Sequence, residues 1–173
     1  TTIIIKPALA NSGIEFVRTD LEKPVKIAAT VNYVSSTERS TTLKKGTATV
    51  QTVEHILAAL AGLQIDNASI EVEGEEIPIL DGSALPFINA ILEKGTTELD
   101  AERTYFVVDE MEKYTDTETG VEITVLPSDT FEATVLVDFE SPYVSTQFAS
   151  LKDMSNFQTE IAPARTFGFI NEV

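Results

Sequence analysis

The sequence predicts an α+β fold in which helices layer on one face of a sheet. Three observations carry that prediction. Short stretches rich in β-branched and aromatic residues, set apart by turn signals, recur along most of the 173 residues. Two stretches have helical periodicity, and both lie in the first hundred residues. Strands resume after a polar, aperiodic stretch at 95–102 without matching helices, so a first domain over 1–100 and an unfinished second one over 101–173 are expected.

In chain order, residues 2–6, 14–18, 25–28, 31–34 and 41–43 read as strands. Pro7, Asn11-Ser12-Gly13 and the polar stretch 20–24 separate the first of them, and Lys44-Lys45-Gly46 turns 41–43 into 47–51 as a hairpin. Residues 52–63 follow as a helix ending near Gly62, with Val53, Ile56, Leu57, Leu60 and Ala61 spaced as a core-facing stripe. Residues 67–73 alternate, placing Ala68, Ile70 and Val72 on one side, and 76–80 is a further strand or extended segment. Asp81-Gly82-Ser83 is a turn able to cap a helix, and Pro86 suits a first helical turn. Leu85, Ile88, Ile91 and Leu92 then form a second stripe closed by Lys94-Gly95. Beyond the boundary, 105–109, 121–126, 131–139 and 143–149 read as strands and 150–157 as a short helix.

Composition narrows the function. With 43% hydrophobic residues the chain can build a core, and it has no apolar run of membrane-spanning length and no signal peptide. It opens at Thr1 inside a strand, so further sequence is expected before it. The absence of cysteine excludes disulfides and thiolate metal sites and suits a cytoplasmic protein. A net charge of −16, from 12 basic and 28 acidic residues, repels phosphate backbones and argues against a nucleic-acid partner.

The chemistry concentrates at Thr52-Val53-Glu54-His55, which contains the only histidine. At about 100° per residue, Glu54 lies at the edge of the helix stripe and His55 on its far side, so packing does not require the imidazole. A neutral imidazole is a zinc ligand, and a neighbouring carboxylate can take a proton from metal-bound water. The partial positive charge of a helix N-terminus favours that carboxylate. Spacing leaves two readings open: a ligand beside a base, or a dipole-favoured glutamate followed by a surface histidine. A two-residue motif leans to the second. A catalytic zinc also needs about three protein ligands, and nothing singles out two more among the acids. No nucleophile-elbow signature supports a serine scheme. Arg165-Thr166 is open in the same way, as an oxyanion donor beside a cation or as a turn with a solvated arginine.

Four stretches resemble the UDP-3-O-acyl-N-acetylglucosamine deacetylases, the zinc amidases of lipid A biosynthesis. They are Asn11-Ser12-Gly13-Ile14 with Arg18-Thr19-Asp20-Leu21; Thr52-Val53-Glu54-His55 with Leu57-Ala58-Ala59-Leu60; Asp66-Asn67 through Ile77-Pro78-Ile79-Leu80-Asp81-Gly82-Ser83; and Ala164-Arg165-Thr166-Phe167-Gly168-Phe169. The resemblance implies two domains, each a mostly antiparallel sheet carrying two helices, sandwiched with the active site between them. It implies that His55 is a zinc ligand, Glu54 the general base, Thr166 an oxyanion donor and Phe167 a substrate contact. Asp81 and Ser83 remain structural. The reaction implied is hydrolysis of the 2-acetamido group of a UDP-sugar acyl substrate to a free amine and acetate. The family's opening strand and the half of its second domain that bears a His-Lys-x-x-x-Asp motif, with the other two zinc ligands and a later catalytic histidine, have no counterpart in this sequence. The expectation is therefore an enzyme whose present chain is inactive by itself and self-associates through the unfinished domain. Some family members are fused to a 3-hydroxyacyl-carrier-protein dehydratase. The rival reading is a non-catalytic module that binds a nucleotide sugar or a protein on the same fold.

Overall fold

The computed structural model describes residues 1–139 and 143–168. Its elements run β1 (Thr2–Pro7), β2 (Ile14–Arg18), β3 (Val25–Ala28), β4 (Val34–Ser36), β5 (Thr42–Lys45), β6 (Ala48–Val50), α1 (Glu54–Gly62), β7 (Ala68–Glu73), α2 (Leu85–Lys94), β8 (Glu112–Thr115), β9 (Glu122–Val125), β10 (Ala133–Val137), β11 (Gln147–Leu151) and α3 (Phe157–Glu160). The chain groups into two compact units, Thr1–Ala101 with the stretch from Phe157 onward, and Glu102–Asn156.

In the first unit the alternating β7 sits inside a four-stranded sheet of order β1-β7-β2-β3. Its outer pairs are antiparallel, while β2 and β7 run parallel, from Ile14 opposite Ala68 to Arg18 opposite Val72. The α+β class holds, with one parallel seam within a mostly antiparallel set. A second, antiparallel sheet of order β4-β5-β6 contains the expected hairpin, closed by a two-residue loop at Gly46, whose φ is +62°. Ala68, Ile70 and Val72 face inward as the alternation requires, and Phe16, Ile27, Val50, Val53, Ile56, Leu60 and Ile88 join them in the core. Each buried Val, Leu, Ile or Phe among them contributes about 1.5–3 kcal/mol. Helices α1 and α2 pack against each other.

Three expectations shift, for 31–34 and for the inward faces of α1 and α2, while 76–80 takes the second of its two readings. Residues 31–34 are not one strand: Val31–Tyr33 is a 3-10 turn in which the Tyr33 N–H donates to Thr30 O, with Val31 exposed, and only Val34 is strand, opening β4. The 76–80 segment is extended but holds only one parallel bridge, between Gln51 and Glu76, since Pro78 offers no N–H and Leu80 turns at φ +52°. In α1 the inward face is Val53, Ile56, Ala59 and Leu60, with Leu57 half-buried and Ala61 exposed; in α2 Phe87 is buried and Leu92 exposed. An alanine-rich helix offers no bulk to say which alanine faces in.

The second unit contains two antiparallel hairpins, β8–β9 and β10–β11. Residues 105–109 form no strand: no ladder pairs them among the described residues, and Tyr105, Phe106 and Val107 stand exposed with Val108 half-buried. The first strand starts instead at Glu112, and the 143–149 strand begins later, at Gln147. The expected helix near 150–157 is a 3-10 turn, Met154–Asn156, leading into α3. No helix among the described residues is long and apolar enough to cross a membrane.

Candidate functional site

Glu54 is the first residue of α1, and no side chain caps the helix from the N-cap position, Val53. Thr41, just before β5, takes that task in two directions. Its carbonyl accepts the Val53 N–H at 3.4 Å, and its own N–H donates to Glu54 Oε2 at 2.9 Å. The carboxylate is thus half-buried, fixed by a backbone donor and set in the positive field of the helix N-terminus. His55 follows, also half-buried, and its ring takes part in no hydrogen bond with the described residues. Adjacent helical residues diverge by about 100°, so the pair presents two different groups to one region rather than two ligands to one ion.

The donor set tests whether a zinc ion fits. Among the described residues no three of His, Cys, Asp and Glu come together as a group able to hold a metal. The described residues therefore do not compose such a site, and His55 and Glu54 stand as one imidazole beside one carboxylate.

Behind the helix start lies a polar network that pattern reading did not find. Thr52, at the corner between β6 and α1, is 6% exposed and has φ +59°, a region that β-branched residues rarely occupy. Its hydroxyl donates to Glu76 Oε1 at 2.7 Å, and beside it the Gln51 N–H donates to Glu75 O while Gln51 O accepts the Ile77 N–H. Arg18, 2% exposed, donates from Nη1 to Thr49 O at 2.6 Å and forks onto both oxygens of Asp20 at 2.9 Å, with Glu75 at 3.9 Å. The hydrogen bond and charge of Arg18 hold the Asp20 carboxyl down to about 2, and Asp20 in turn raises the Arg18 guanidinium above its ordinary value. Arg18 and Thr52 both stand in the quoted motifs, but neither burial nor a positive φ is visible in residue spacing.

Thr166 is held elsewhere in the first unit. The Phe157 ring lies on Gly62, where an added Cβ would meet Phe157 Cδ1 at 2.1 Å. From there the segment is tied to the head of α2, with the Leu85 N–H donating to Ala162 O at 3.1 Å and the Thr166 N–H to Gly82 O at 2.8 Å. Gly82 has φ +82°, and Arg165 Nη2 stands 3.7 Å from Asp81 Oδ2. Asp81 Oδ1 accepts from the Ser83 N–H and hydroxyl, and Ser83 Oγ accepts the Leu85 N–H, so this turn caps α2. Those Ser83 bonds, and then the Arg165 charge, hold the Asp81 carboxyl below its usual range. Thr166 and Phe167 are exposed, no hydrogen bond or ion pair joins Thr166 to Glu54 or His55, and Phe169 lies outside the described residues.

Comparison with known proteins bears on this arrangement. A family model described as UDP-3-O-acyl N-acetylglycosamine deacetylase matches residues 1–173. The chain is 44% identical over 173 residues to a bifunctional enzyme LpxC/FabZ of Chlorobaculum tepidum, covering 99% of this chain and 37% of that protein. It is 41% identical over 173 residues to a UDP-3-O-acyl-N-acetylglucosamine deacetylase of Geotalea uraniireducens and 45% identical over 175 residues to one of an Anaeromyxobacter species. Each of those two matches covers 99% of this chain and 56% of the relative, so the chain spans little more than half of their length.

Proposed function

Because the chain belongs to the UDP-3-O-acyl N-acetylglycosamine deacetylase family, we propose that it is part of an enzyme that hydrolyses the N-acetyl group of UDP-3-O-(3-hydroxyacyl)-N-acetylglucosamine, in the cytoplasm and within lipid A biosynthesis. Water adds to the acetamide carbonyl, the C–N bond breaks, and acetate and the free amine leave. The observation that carries this reading is the Glu54 carboxylate, oriented by the Thr41 N–H at the N-terminus of α1 with the lone imidazole beside it. Glu54 is the general base that takes the proton of the attacking water. A carboxylate fixed by one backbone donor keeps its second oxygen for that proton. His55 is one zinc ligand. Bound zinc supplies Lewis acidity and lowers the pKa of water. The described residues do not supply the remaining ligands. Thr166 donates its hydroxyl to the developing oxyanion, supported by the Gly82 carbonyl that fixes its backbone. Phe167 lies against the substrate.

The second unit exposes Phe106 ahead of its hairpins and Leu136 and Phe148 on β10 and β11, which supports self-association of this chain when it is alone.

The test is acetate release from the UDP-sugar by the protein in the length of its single-function relatives. Glu54→Gln is expected to lower kcat by roughly 100-fold or more with zinc content intact, and His55→Ala to lose zinc. Full activity in Glu54→Gln, or no acetate from the unsubstituted protein, contradicts the reading. The latter outcome would favour a non-catalytic nucleotide-sugar module.

A further inference from the structure

We infer that Thr52 is a positioning residue, which acts through the strained corner between β6 and α1 to hold the Glu54 carboxylate in place. The inference rests on the proposed role of Glu54 as general base. No loop separates β6 from α1: Val50 ends the strand, Gln51 holds the bridge, and Glu54 begins the helix. The change of direction is made at Thr52, with φ +59°. A β-branched residue in that region is strained and persists only where its surroundings over-determine it.

Here they do. On the incoming side, the Gln51 N–H donates to Glu75 O at 2.8 Å, the Ile77 N–H donates to Gln51 O at 3.0 Å, and Arg18 Nη1 holds Thr49 O. At the corner itself, the Thr52 hydroxyl donates to Glu76 Oε1 at 2.7 Å. On the outgoing side, Val53 is fully buried and its N–H meets Thr41 O. The side-chain bond to Glu76 is the only one of these that uses Thr52's own chemistry. Glu76 is exposed, so nothing in core packing calls for the pairing.

Glu54 lies two residues beyond the corner, a lever of about 7 Å. A swing of about 20° at Thr52 would carry the carboxylate roughly 2.5 Å by that lever, out of reach of the Thr41 N–H. Misplacement of about 1 Å is enough to cost a catalytic group on the order of 100-fold. The corner therefore decides whether the carboxylate meets its water.

The Thr41 amide reports the position directly, because its hydrogen-bond acceptor is Glu54 Oε2. The experiment is amide hydrogen exchange, followed by NMR, on this 173-residue chain. Thr41 is compared with Phe16 and Ile70 in the first sheet. Two variants remove the pairing without threatening the fold. Thr52→Gly adopts the same φ without strain and lacks the hydroxyl. Glu76→Ala alters only an exposed side chain.

In the unsubstituted chain Thr41 is expected to be protected. In both variants its exchange should accelerate by roughly 10-fold or more while Phe16 and Ile70 stay unchanged. Thr52→Ser, which keeps the hydroxyl, should stay close to the unsubstituted rate. An unprotected Thr41 in the unsubstituted chain, unchanged protection in the variants, or equal acceleration at all three amides overturns the inference; the last would mean the pair only adds stability. In the relative-length protein, Thr52→Gly should lower kcat with KM retained. Exchange needs neither substrate nor metal, so it is read even if no acetate is released.

Discussion

Arg18 is a cation placed in the interior of the first unit, and its surroundings explain why that is tolerated. Its fork is met by both oxygens of Asp20, and its remaining edge by the Thr49 carbonyl. No buried side-chain nitrogen or oxygen among the described residues is left without a partner. Replacing Arg18 by Met leaves Asp20, which is 29% exposed, without its cation. A loss of about 2–4 kcal/mol in unfolding free energy is expected by chemical denaturation, below the upper end for a fully buried pair. Lys at this position should recover little of it, because an ammonium cannot match the bidentate geometry. The pH dependence has a definite sign. Asp20 is depressed from 3.8 to about 2 in the folded state. Its contribution is therefore fully present above about pH 4 and lost as the pH falls through 2. Acid unfolding of the unsubstituted chain should show a component in that window, and Arg18→Met should lack it. The sequence contained Arg18-Thr19-Asp20 openly, but i and i+2 at a strand end carry no pairing signal, and only the fold turns them into a buried ion pair.

At the scale of elements, periodicity told most where one face is wet. The alternation of β7 and the ends of α1 and α2 were legible from residue order, because Gly62, Lys94-Gly95 and Asp81-Gly82-Ser83 mark them. It told least where partners decide. Residues 105–109 have strand composition and no ladder among the described residues, and Val31–Tyr33 close into a turn with Val31 exposed. The return of the chain from Phe157 to the first unit was also not readable, since it depends on a helix end bare enough to seat a ring. Gly62 is that place. A Cβ there would lie 2.1 to 2.8 Å from three atoms of the Phe157 ring. Gly62→Ala should destabilise the first unit by about 1–3 kcal/mol through overpacking, seen as a lower thermal midpoint. Phe157→Leu in the same chain should recover part of the loss. If Gly62→Ala leaves the midpoint unchanged, the ring is not seated as described.

For the whole molecule, the catalytic reading rests on how little of a site one chain can hold. Glu54 and His55 were legible as a pair with chemical potential, yet spacing alone could not separate them from a glutamate favoured by a helix dipole and a surface histidine. The proposed function takes the first of those readings, and the Thr41 bond gives the carboxylate an orientation. Thr166 is fixed on the Asp81–Ser83 turn at the head of α2, by a contact no motif spacing could have shown. What the chain lacks is equally specific: it has one histidine, no cysteine, and no carboxylate cluster that could complete a metal site among the described residues. The described residues thus hold at most a half-site in the proposed function, and a single imidazole makes that measurable. Zinc titrated into this chain, with the His55 ring observed by NMR and bound metal counted after desalting, should perturb the ring only weakly and leave far less than one zinc per chain. About one tightly held zinc per chain, with His55 among its ligands, would contradict it.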